Sequence, residues 1–210
     1  MIPTRQAFSI LEFWFGQRPY SRDSVARHAR MWFDDPAAPE LRPQFDEALR
    51  LRFGTLAAAA GSGEFDVWES SPRRRLALIL LLDQFPRGIH RGTAKAYEQD
   101  HRALALAVSG TQLGADAALD PVERIFFYMP MQHAESRELQ DESVSAFRRL
   151  AAEGPAELAH IFALAAQRAE LHQDVIERFG RFPHRNRALG RVSTAEERDW
   201  LTSGGATFDH

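Results

Sequence analysis

The stretch SPRRRLALILLLDQFPRG, residues 71–88, decides the fold class of this chain. Ser71 before Pro72 is an N-cap and N1 pair: the proline nitrogen falls where a helix needs no donor, and its fixed φ suits the first turn. A helix therefore opens at Pro72 and runs into the corner LLDQFPRG. Its apolar centre, residues 76–82, is seven residues long and far too short to span a bilayer.

Working outward, the same helical punctuation recurs in both directions. Thr4 caps a helix over 4–15 with Phe8, Leu11 and Phe15 on one face, and Gly16 stops it. A proline-bearing stretch, 17–39, reads as irregular. A helix from about residue 40 carries Leu41, Phe45, Ala48 and Leu49 at helical spacing and is spent by 61–63. Downstream, Thr93 caps a helix over 93–110. Asp120, Pro121 and Glu123 form a capping box for a short helix over 121–128 that Pro130 ends. Further helices cover 134–152 and 156–179, with Gly180 as the left-handed stop, and a final capped turn begins near Ser193 with Glu196 at N3. No strand or hairpin pattern competes, so the expected class is all-α, antiparallel helix pairs in one domain over 1–210.

Composition narrows the chemistry. The chain has 210 residues, 44% of them hydrophobic, and no cysteine. That excludes disulfides, thiolate metal sites and a cysteine nucleophile, and makes the cytoplasm the expected compartment. The start, MIPTRQAFSILEFWFG, reads as an amphipathic helix rather than a signal peptide. Net charge is -3, and every basic residue but Lys95 is an arginine. Against this background RFGRFPHRNRALGR, residues 178–191, is a positive island with five arginines and no carboxylate.

Parity gives the island neighbours. If consecutive helices alternate in direction, the connections 17–39, 83–92, 128–135 and 178–191 share one end of the fold. They bring Trp32, Asp34 and Asp35; Asp83, Gln84, Arg87, His90 and Arg91; His133 and Glu135; and Arg181, His184, Arg185, Asn186 and Arg187. The opposite connections, GSGEF, GTQLGAD and AEGPAE, hold no histidine, arginine or tryptophan.

At these corners EFWFG, LLDQFPRGIHRGTAKAY, ERIFFYMPMQHAES, VIERFGRFPHRNRALGR and STAEE together resemble the bacterial "domain of unknown function 924" family, over the length of the chain. The resemblance implies an all-helical, tetratricopeptide-like superhelical fold and no particular reaction. Gly88 departs from it, since Asn is expected after DQFPR.

Two readings of the arginines stand side by side. Converging guanidinium forks make a carboxylate or phosphate pocket, with Arg87, Arg91, Arg181 and Arg185 holding the anion, Gln84 and Asn186 orienting it and Trp32 in the wall. Alternatively Asp83, Glu135 or Asp34 already occupies those forks. His133 or His184, held by Asp83 or Glu135, is the candidate proton-transfer group. Phe85-Pro86 and Phe182-Pro183 anchor their corners and turn the next residue outward. No HExxH or comparable spacing appears, so neither a metal nor another cofactor is expected. The acidic total and the short island argue against nucleic acid. The expected partner is an anionic small molecule, with a peptide on a concave helical face as the alternative; no membrane span is expected.

Overall fold

A computed structural model describes residues 2–33 and 37–208 of the protein. Ten α-helices and no strand occur among these residues. They are α1 (Ile2–Phe15), α2 (Arg22–Trp32), α3 (Leu41–Gly61), α4 (Pro72–Leu82), α5 (Gln84–Ile89), α6 (Asp100–Gln112), α7 (Pro121–Gln132), α8 (Arg137–Glu153), α9 (Ala159–Phe179) and α10 (Ala195–Thr202).

The helix of the quoted stretch, α4, lies at the centre. Every residue from Arg75 to Leu82 is buried, as expected of a helix apolar on all sides. It packs against α1, α3, α6 and α7. Arg75 is tolerated there because its guanidinium donates at 2.9 Å to the carbonyls of Glu69 and Leu106 and to Ser109 Oγ. Aromatic rings fill the space between α1, α2, α3 and α7, with Trp14 and Phe15 both edge-on to Phe126.

Several boundaries differ from those expected. The stretch read as irregular contains α2, capped by Ser21, whose Oγ accepts from the Ser24 N–H at 3.2 Å. Val25, Ala29 and Trp32 put an apolar stripe on one face of this helix, with Val25 and Trp32 buried, a spacing that the reading of 17–39 as irregular passed over. Helix α1 begins at Ile2, so Thr4 lies within it rather than capping it. Thr93 does not cap an α-helix: its hydroxyl donates to the His90 carbonyl at 2.7 Å, a 3-10 turn (Ala94–Tyr97) follows, and α6 starts at Asp100. Pro130 does not end α7, which continues to Gln132; a proline so near the C-terminus removes a single intrahelical donor. The last helix is capped by Thr194 with Glu197, one residue beyond the expected pair.

The capping box at Asp120 and Glu123 and the left-handed Gly180 (φ 68°) stand as read. Gly88 marks a close crossing of α3 and α5. A Cβ there would lie 2.7 Å from Leu49 Cδ1 and 2.9 Å from Asp46 Oδ1, so the missing asparagine is a matter of room. Gly88→Asn is expected to destabilise the fold by ~1–2 kcal/mol through overpacking, read as a melting temperature lower by several degrees.

Candidate functional site

The break between α4 and α5 is where site chemistry begins. Asp83 is the turn residue between the two helices (φ −109°, ψ −62°), and its carboxylate is wholly buried. Oδ1 accepts from His133 Nδ1 at 2.8 Å and faces Arg87 Nη1 at 3.1 Å, while Oδ2 accepts from Gln84 Nε2 at 2.6 Å. Burial pushes the Asp83 carboxyl up, against the pull of Arg87 and Gln84. Pro86 sits in the first turn of α5, where no donor is needed. It therefore does not turn Arg87 outward: that side chain is buried, in a two-pronged pair with Asp100 at 2.9 Å per bond. Burial works against the Arg87 charge, and Asp100 and Asp83 more than offset it.

His133, the C-cap residue of α7, is also buried. Burial, with Arg87 and Arg185 next, holds it well below the usual histidine range, so the ring is neutral and its Nδ1–H faces Asp83. The island contributes a 3-10 turn (Pro183–Arg185) after Phe182, which is fully buried as an anchor. Arg185 is buried with its guanidinium carbon 4.4 Å from the Phe182 ring centre and 4.8 Å from that of Tyr97. It donates to the His133 carbonyl at 3.1 Å and lies 3.6 Å from Asp100. Burial, then Arg87, lowers its pKa to about 10. His184 is lowered to about 3 by burial and then by Arg185, Arg87 and Arg191.

These groups surround a cavity of about 450 Å³. Arg87, Arg91, His133, His184, Arg185 and Arg187 line it together with Tyr97, Leu201 and Phe208. No carboxylate stands on the wall among the described residues. Arg185 Nε and His184 Nδ1 have no hydrogen-bond partner among them, and Arg187 is exposed with no ion pair there.

Three of the four expected corners thus meet. The first does not: Trp32 is packed in the core against Phe15 and Phe126, with its indole N–H on the Trp14 carbonyl at 3.1 Å, and Asp34 and Asp35 lie outside the described residues. Several expected anion holders are already engaged. Arg91 pairs with Asp46 at 2.7 and 2.9 Å. Arg181 pairs with Glu197 at 2.6 and 2.9 Å and is not on the wall. Gln84 is spent on Asp83, and Asn186 donates to Ser193 Oγ and Glu197. Glu135 holds Arg191 and the Phe182 N–H rather than either histidine, and these contacts keep it below its usual range despite burial. His90 is exposed and away from the wall. Sequence reasoning missed Asp46 and Asp100, the carboxylates behind Arg91 and Arg87, and the wall residues Tyr97 and Phe208. The motif LLDQFPRGIHRGTAKAY, which reaches Tyr97, was the available signal for that ring.

An all-helical protein with a basic cavity at one cluster of helix connections is the class that fold and geometry define. Residues 10–205 match the family described as "Bacterial protein of unknown function (DUF924)", and the chain belongs to that family. The solved structure of a protein of unknown function, ATU0120 from Agrobacterium tumefaciens, is similar at 37% identity and a TM-score of 0.76, over 96% of this chain and 99% of that one. No curated protein matches significantly. No described helix is long and apolar enough to cross a membrane.

Proposed function

We propose that the cavity binds a small molecule through an anionic group. The observation that supports this reading is its wall, which carries four arginines and two histidines and no carboxylate among the described residues. A volume of about 450 Å³ is in the range of small-molecule sites. In this reading Arg185 and Arg187 take the anion, and Arg87 is a positioning residue held by Asp100 and Asp83. His133, held neutral with its Nδ1–H on Asp83, is a positioning residue of the wall rather than a strong base.

The test is thermal stabilisation by a panel of carboxylates and phosphates. A ligand at a hundredfold its Kd adds about 2.7 kcal/mol, a rise of roughly 5–11 °C for a chain of this size. Arg187→Ala, at an exposed side chain, should weaken the response at least tenfold while leaving the unliganded melting temperature within a degree. Arg185→Gln should abolish it. A response that persists in both variants, or none from any anion at millimolar concentration, overturns the reading.

A further inference from the structure

The cavity's charge and its apolar surface together define the ligand more narrowly. Four arginines reach the wall: Arg87, Arg91, Arg185 and Arg187. Three carboxylates stand directly behind them among the described residues. Asp83 faces Arg87, Asp100 is shared between Arg87 and Arg185, and Asp46 holds Arg91. The wall histidines, His133 and His184, are neutral. One positive charge is left over, and Arg187 carries it at the mouth of the cavity, where no described carboxylate meets it.

Apart from the hydroxyls of Ser193 and Thr207, most of the remaining wall is apolar. Ala96 and Tyr97 come from the 3-10 turn before α6, Pro183 and Ala188 from the island, Leu201 from α10, and Phe208 follows it. A ligand that fills this space turns an apolar body toward those six residues and an anion toward Arg185 and Arg187. A second negative charge would be desolvated with no cation left to meet it. An ammonium group would meet arginines and no described wall carboxylate.

We infer that the ligand is a monoanionic organic acid with an apolar body, and that the site discriminates against phosphate dianions and zwitterionic amino acids. This rests on the anion-binding reading and makes it specific. The class follows from the count of guanidinium groups against carboxylates and from what lines the remaining wall.

Titration calorimetry on the full chain at pH 7.5 tests it with 3-phenylpropionate, phenylalanine and phenyl phosphate, which share a ring and differ in head group, and with butyrate and hexanoate. The expected result is binding of 3-phenylpropionate at least tenfold tighter than of either other aromatic compound. Hexanoate should bind more tightly than butyrate by about fourfold per added methylene. Leu201→Ser should weaken 3-phenylpropionate several-fold while changing butyrate little. Phenyl phosphate or phenylalanine binding as tightly as 3-phenylpropionate overturns the inference and leaves the anion site standing, as does equal affinity for the two aliphatic acids. Silence from all five compounds overturns both.

Discussion

Acidified from pH 7, the protein is expected to unfold cooperatively with a midpoint between about pH 4 and 5, well before ordinary carboxylates finish titrating. Three imidazoles carry this expectation. His133 and His172 are buried and held well below the usual histidine range, mainly by burial, and His184 is lowered to about 3. In the unfolded chain each takes up a proton near pH 6.5, whereas in the folded chain each resists. A depressed histidine therefore stabilises the fold fully above pH 6.5, and that stabilisation is lost as pH falls below it. Asp83, raised by burial, works the other way and offsets at most one proton. The net is a loss of about 3–4 kcal/mol per pH unit below 6.5, or roughly 5 kcal/mol by pH 5, comparable to the whole stability of many domains. Glu135 and Glu197 are depressed too, and their contribution begins to be lost only as pH falls through the usual carboxylate range. Circular dichroism against pH checks this, and His184→Asn should flatten the slope by about a third. A transition that starts only below pH 4 would show that the imidazoles charge within the fold.

Glu123→Ala is expected to cost about 3–5 kcal/mol, because it removes one partner from a buried charge cluster. The Glu123 side chain is fully buried and meets four groups. It pairs with Arg18, accepts from Tyr20 Oη at 2.8 Å, lies 3.2 Å from Arg73 and accepts the Asp120 N–H at 3.2 Å. It thus ties the segment after α1 and the start of α4 to the first turn of α7. Arg18 and Arg73 are each about a third exposed (38% and 30%), so solvent screening places the effect toward the lower figure. A fall in melting temperature of roughly 6–20 °C corresponds to this range. Glu123→Gln, which keeps the capping acceptor and loses the charge, should fall between. An unchanged melting temperature in the alanine variant would mean that the cluster contributes nothing net.

Elements with local chemistry were legible in the sequence. The capping box at Asp120 and the left-handed Gly180 are written in adjacent residues. Helix α2 could have been read from the spacing of Val25, Ala29 and Trp32 but was passed over among the flanking prolines. The corner at 83–92 was read as a connection, but neither the short α5 within it nor the hold of His133, fifty residues on, on the Asp83 carboxylate was legible. The apolar run in α4 was informative beyond its length: a helix without a polar face has solvent on no side and belongs in the middle. At the site, residue types and corners were readable, since Arg87, His133, His184 and Arg185 do converge. The ion pairs were not. Asp46 lies 45 residues from Arg91, and Glu135 lies 56 from Arg191, so which forks are engaged is fixed by tertiary packing. Trp32 was misplaced for the same reason that α2 was missed.

The 3-10 turn that brings Ala96 and Tyr97 to the cavity also carries Lys95, exposed and with no other lysine in the chain. Amine-reactive dyes therefore have a single side-chain target, one residue from the cavity wall. An environment-sensitive fluorophore attached there would report on occupancy of the neighbouring chamber without any engineered cysteine.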